Sequence, residues 1–304
     1  MKTIALPKPL QEPVRNALDA ALDQTTIHDL RPATTGGVST TCRLSTEQAS
    51  YFLKWNESPQ FGLFRAEAQD LALIRDTHSV RVPTVFAWAD TAEDRPAYML
   101  QEWAEAGTEA QQASRIGAIL GTRLAQMHLA SSRDPAPGYG QHDHHRREPC
   151  PTQWYADWVE YFREIGLRAQ LESAEREGWM TTQRRRRYIA VMDNLDRWLG
   201  GVPRSPTLLH GDLHLGNILC DGGGEPVLID PWAFYGDREW EVAFTTVWGY
   251  HPPEFYQAYE EVWPLPDGFK ERRDLYLLNS HLWFYKDADV NAARIDAILK
   301  IYAD

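Results

Sequence analysis

His210-Gly211-Asp212-Leu213-His214-Leu215-Gly216-Asn217, followed by Ile229-Asp230, sets a His, an Asp, an Asn and a second Asp in the order that phosphoryl transfer requires. In the spacing His-x-Asp-x-x-x-x-Asn, Asp212 can orient an attacking hydroxyl and take its proton. Asn217 and Asp230 then offer oxygen ligands to a metal ion. Gly211 stands where protein kinases usually carry Arg. Between the two metal ligands, Asp221-Gly222-Gly223-Gly224 signals a turn and Pro226-Val227-Leu228-Ile229 a strand. That pattern predicts a hairpin that returns Asp230 beside the loop, so a base and two metal ligands converge.

A lysine and a glutamate complete the set. In Tyr51-Phe52-Leu53-Lys54-Trp55, alternation puts Tyr51, Leu53 and Trp55 on one face and Phe52 with Lys54 on the other. Both faces are apolar, so the ammonium needs an anionic partner. Phe64, Glu67, Leu71 and Ile74 recur at helical spacing within 61–77, which sets Glu67 on the apolar stripe. A Lys54–Glu67 ion pair would aim the lysine at the α- and β-phosphates of a nucleotide. The alternative is a solvated Glu67 with Lys54 reaching outward. Upstream, Gly36 and Gly37 let the backbone approach a phosphate, though taken alone a glycine pair more often marks an ordinary turn.

The elements that must position these groups are legible in outline. Val14, Leu18, Ala21 and Leu22 predict a first helix. Strands follow to Trp55, then the helix of Glu67, then strands over 81–88 and 96–103. Beyond Gly107 the pattern turns helical. Ile116, Leu120, Leu124 and Met127 form one stripe, Trp154, Trp158, Tyr161 and Phe162 a second, and Tyr188, Val191, Leu195 and Leu199 a third. The expectation is a two-lobed α+β protein with a β-rich lobe over 1–104, a mostly helical lobe over 105–304, and a nucleotide between them.

Composition narrows the classes. A length of 304 residues and 43% hydrophobic content allow a sizeable core. A net charge of −12 argues against a nucleic-acid partner, which needs a basic face. No apolar run approaches the roughly 20 residues that span a membrane, and the proline-rich start does not read as a signal peptide. Cys42, Cys150 and Cys220 are odd in number and lack metal-type spacing, which fits a reducing, cytoplasmic setting. Cys42 near the glycine pair could sense redox state or simply fill space. His142-Asp143-His144-His145 reads as an exposed loop rather than a metal site, and Arg184 to Arg187 as a solvated run. His128 and His210 read as structural.

The chain resembles the fructosamine kinase (ketosamine 3-kinase) family, within the aminoglycoside phosphotransferase and protein-kinase-like superfamily. The resemblance runs from about Gly36 to about Tyr285. It rests on Leu208-Leu209-His210-Gly211-Asp212-Leu213, on Leu228-Ile229-Asp230-Pro231 and on Tyr235-Gly236-Asp237-Arg238-Glu239. It implies a protein-kinase-like fold and an ATP- and Mg²⁺-dependent transfer to a sugar hydroxyl of a small or protein-bound ketosamine. The glycine pair would cover the phosphates, and backbone groups of Gln101, Glu102, Trp103 and Ala104 would read the adenine edge. His214, Trp232 and Gly166 depart from the family pattern in ways that would reshape the acceptor pocket without touching the transfer residues. Trp154, Trp158 and Trp232 are candidates to line that pocket. Asp237, Glu239 and Glu241 would suit an amine-bearing acceptor. Other acceptors (an aminoglycoside, an amino alcohol, another sugar) and a catalytically silent nucleotide binder remain open, as does the oligomeric state, with which a monomer is compatible.

Overall fold

The computed structural model describes residues 5–33, 39–57, 62–104, 113–133, 136–140, 153–247, 251–283 and 288–303. The Gly36–Gly37 turn, the His142–His145 run and Cys150 lie outside the described residues. Helix α1 (Lys8–Ala20) buries Leu10, Val14, Ala17 and Leu18. The helical stripe ends earlier than its spacing predicts. Leu22 takes a left-handed φ of 60° and is 84% exposed, so it belongs to the turn and not to the buried face.

Strands β1 (Ile27–Pro32), β2 (Thr40–Thr46), β3 (Ser50–Asn56), β4 (Val85–Ala89) and β5 (Ala97–Glu102) form one antiparallel sheet in the order β1-β2-β3-β5-β4. Tyr51, Leu53 and Trp55 of β3 pack with Leu10 and Leu18 in one cluster. On the other parity, Lys54 stands opposite Met99 and Phe52 opposite Gln101. Helix α2 (Leu63–Asp76) meets Met99 through Phe64. The alternation of β3 therefore puts apolar residues toward α1 and the lysine toward α2.

Downstream, α3 (Ala113–Arg133) is followed by α4 (Trp158–Tyr161), which runs on as a π-helical stretch, Phe162–Arg168. Then come α5 (Ala169–Arg176), α6 (Thr182–Asp193) and α7 (Leu195–Leu199). The predicted aromatic stripe is thus split, with Trp154 outside the helix. Trp158 is 2% exposed and stacks on Tyr161 and Phe162, so it is core rather than pocket lining. Short strands β6 (Thr207–Leu209), β7 (Ile218–Cys220), β8 (Pro226–Leu228) and β9 (Phe234–Gly236) precede α8 (Arg238–Phe244), α9 (Pro253–Val262), α10 (Phe269–Trp283) and α11 (Ala288–Tyr302). β6 pairs with β9, and β7 with β8 in the predicted hairpin.

The chain divides into two compact units. The first joins residues up to 104 with Asn217–Trp232, and the second takes the remaining described residues. A single cut after residue 104 therefore misplaces the hairpin. Arg81 bridges to Val227, and its carbonyl accepts the Leu228 N–H at 2.9 Å, which fastens the hairpin to the sheet's own unit. The second unit is centred on Trp158, Phe162, Tyr188 and Tyr276. In it α3 and α9 approach closely at glycines. A Cβ on Gly121 would lie 2.1 Å from the Phe255 carbonyl oxygen.

Candidate active site

In the first unit the structure brings together Lys54, Glu67 and Asp230. Lys54 Nζ lies 2.5 Å from Glu67 and 2.9 Å from Asp230 Oδ1. Lys54 and Glu67 side chains are each 7% exposed, so the solvated alternative does not hold. Burial of the ammonium works against its charge, but Glu67 and Asp230 outweigh that, and the lysine pKa lies above its usual value.

Asp230 follows β8 with a φ of 49°, a left-handed conformation that few non-glycine residues adopt. The backbone carries part of that constraint: Ile229 N–H donates to the Asn217 carbonyl at 3.0 Å, tying the two ends of the hairpin. Asn217 is buried while the Asp230 side chain is half exposed. Two oxygen donors of this kind suit a hard cation that takes its other ligands from water and phosphate. Among the described residues no group of three or more His, Cys, Asp or Glu is placed to hold a metal ion. At the end of β5, Gln101 is buried, while Glu102, Trp103 and Ala104 are partly exposed. Trp103 leans on Phe52, with ring centroids 6.2 Å apart, and lies under the Arg43 guanidinium at 5.0 Å. Arg81 ties Glu102 to Asp221 in the hairpin turn.

In the second unit, Asp212 is held by a buried frame. Glu241 in α8 accepts the backbone N–H of His210 at 3.0 Å and of Gly211 at 2.7 Å. Its Oε2 also receives His128 Nε2–H at 3.0 Å, while His128 Nδ1 accepts the Tyr259 hydroxyl at 2.8 Å. That tautomer follows because a carboxylate can only accept. Burial favours the protonated acid, yet the hydrogen bond from His128 and the groups of His210 hold Glu241 below its ordinary pKa. Gly211 has φ +80°, which explains glycine where arginine is usual. His210 is fully buried, and its Nδ1 accepts the Asp212 N–H at 3.3 Å, a structural role as expected.

Several expectations need correction. His214 does touch a transfer residue: its Nε2 lies 3.8 Å from Asp212 Oδ2. Asp237, Glu239 and Glu241 are engaged inside the protein rather than offered to an amine. Asp237 pairs with Arg204 and Tyr276, Glu239 with Arg272, and all three carboxylates are buried. Gly166 sits in the π-helical stretch, where a Cβ would meet the Phe162 ring at 2.8 Å, so it serves packing. Cys42 is fully buried and burial pushes its thiol up to about 11, which removes the nucleophilic thiolate. Of the arginine run, Arg184 pairs with Asp296 and Arg185 with Glu175. Glu241 as the loop's clamp was missed. Its only signal is an acid within the apolar run Trp240-Glu241-Val242-Ala243-Phe244.

A sequence model of the Fructosamine kinase family matches residues 10–293. A probable ketoamine kinase of Enterococcus faecium is 31% identical over 91% of this chain and 98% of its own length. A chloroplastic protein-ribulosamine 3-kinase of Oryza sativa subsp. japonica is 34% identical, covering 79% of this chain and 68% of that protein. Among solved structures, a putative fructosamine-3-kinase from Haemophilus somnus 129PT superposes with a TM-score of 0.80 at 23% identity, over 94% of this chain and 95% of that one.

Proposed function

Because this chain belongs to the fructosamine kinase family, we propose that it transfers the γ-phosphoryl group of ATP to a sugar hydroxyl of a small or protein-bound ketosamine, the opening step of a deglycation. The protein is a kinase with an alcohol group as acceptor. The observation that carries the reading is the buried Lys54, charged and held between Glu67 and Asp230. A cation fixed in advance stabilises phosphate charge without reorganisation, and phosphoryl transfer asks the protein for little else than position and charge.

Each residue then has a task. Lys54 grips the α- and β-phosphates, and Glu67 keeps it aimed. Asn217 and Asp230 would hold Mg²⁺, which when bound would supply charge screening between nucleotide and acceptor. Asp230, half exposed and already in contact with Lys54, would be the ligand shared between the lysine and the ion. Asp212 orients the acceptor hydroxyl and takes its proton, and Glu241 keeps the peptide carrying Asp212 in place. The segment Gln101–Ala104 would receive the adenine.

The test is Mg²⁺-dependent ATP consumption across fructosyl-lysine, ribulosyl-lysine, an aminoglycoside and choline. Turnover confined to the ketosamines supports the proposal. Turnover of the aminoglycoside or choline alone would keep the chemistry and overturn the substrate. ATP binding with no turnover of any acceptor would point to the silent nucleotide binder.

A further inference from the structure

Gln101 carries a feature that the phosphate-gripping residues do not use. It lies near the end of β5, is 4% exposed, and its side-chain Oε1 has no hydrogen-bond partner among the described residues. A buried carbonyl left unpaired lowers the folding equilibrium about tenfold or more, and an apolar side chain of similar size would avoid that loss. Two residues on, Trp103 Nε1 is also buried without a partner among the described residues.

The sheet register fixes where this acceptor points. Gln101 stands opposite Phe52, and Met99 opposite Lys54, so these four side chains share one face of the sheet. Lys54 Nζ is 5.9 Å from the Phe52 ring, and that ring is 6.2 Å from Trp103. The opposite face, with Leu53 and Leu100, is filled by the α1 cluster. The unpaired oxygen therefore lies on the lysine's side, on the strand next to it. Diagonal neighbours across an antiparallel pair sit roughly 7–8 Å apart, a span that suits a base whose own phosphates reach the lysine.

We propose that the Gln101 side-chain carbonyl accepts a hydrogen bond from the exocyclic 6-amino group of the bound purine, and so selects adenine nucleotides. The inference rests on the kinase reading and adds to it a side-chain reader of the base. An acceptor needs a donor, and the 6-amino group supplies one where a 6-keto purine offers only another acceptor. The amide turned end for end would present its N–H₂ instead and favour the 6-keto base, which the ligand series below separates.

The experiment is calorimetric titration of the full chain, with Mg²⁺, against ATP, purine riboside 5′-triphosphate (hydrogen at position 6) and inosine 5′-triphosphate, for wild type and Gln101→Met. Wild type binds ATP about tenfold more tightly than either analogue, the worth of one buried hydrogen bond. Gln101→Met weakens ATP about tenfold and leaves the hydrogen analogue unchanged, so the preference disappears. An ATP preference that survives in Gln101→Met overturns the proposal, as does a wild type that prefers inosine triphosphate. Should Gln101→Met not fold, the wild-type series decides alone: equal affinity for ATP and the hydrogen analogue overturns it. Absence of binding by all three nucleotides would instead bring down the kinase reading itself, whatever acceptor is used.

Discussion

Lys54 and Glu67 form a pair in which each side chain is only 7% exposed, so neither can fall back on water when the other is removed. Breaking such a pair costs more than the pair contributes, because a lone buried charge remains. Lys54→Met should therefore lower stability by about 3 kcal/mol in urea unfolding and abolish transfer. Adding Glu67→Gln should recover most of the stability and none of the activity. If the double variant is no more stable than Lys54→Met, the buried charge is not the cause. This pair was legible because two periods intersect: alternation in Tyr51–Trp55 turned Lys54 away from the α1 core, and helical spacing put Glu67 on a stripe. Glu241 was not legible as a clamp. Its partners His128, His210 and Gly211 lie far along the chain, and no local pattern brings them to it.

At the scale of elements, the close approach of α3 to α9 depends on absent side chains. A Cβ on Gly121 would sit 2.1 Å from the Phe255 carbonyl, and one on Gly117 would sit 2.3 Å from Pro252 Cγ. Gly→Ala inside a helix ordinarily gains about 1 kcal/mol, whereas overpacking costs about 1–3 kcal/mol and here meets backbone. Gly121→Ala should thus destabilise, lowering the urea midpoint; a raised midpoint would show that the helices can part without loss. His128 on α3 and Tyr259 on α9 connect that interface to Glu241, so the same contact positions the loop of Asp212. Glu241→Gln keeps the size but gives up one acceptor, and it should lower kcat about tenfold with little change in the KM for ATP. An equal rise in KM would assign Glu241 to nucleotide binding instead. The stripe Ile116, Leu120, Leu124, Met127 announced α3; Gly117 and Gly121, four apart on one face, mark a close approach whose partner lies far along the chain, at Pro252 and Phe255. The π-helical stretch after α4 was hidden too, since the aromatic spacing fits a regular helix as well.

At the scale of the whole molecule, burial favours the neutral form of His128, His251 and His281. Burial lowers His128, and it pushes His251 and His281 down to about 4, with Arg294 adding to the effect at His281. A depressed folded-state pKa means that these groups support stability above the unfolded value near 6.5 and withdraw it as pH falls toward 4. The urea midpoint should drop between pH 7 and pH 5, and the drop should shrink in His251→Gln. A flat midpoint over that range would contradict the buried neutral state. The division into a β-rich and a helical part was readable from the composition shift beyond Gly107. That the hairpin Asn217–Trp232 packs with the sheet's unit was not, because Arg81 and Val227 pair across a long stretch of chain. In the proposed reaction Asp212 works on the acceptor while the first unit's Lys54, Asn217 and Asp230 manage the nucleotide. Asp212→Asn separates the two roles when ATP affinity and fructosyl-lysine phosphorylation are measured on the same sample. The predicted result is unchanged ATP binding with turnover lower by about 10²–10⁴-fold; turnover within a fewfold of wild type would contradict the assignment of the base.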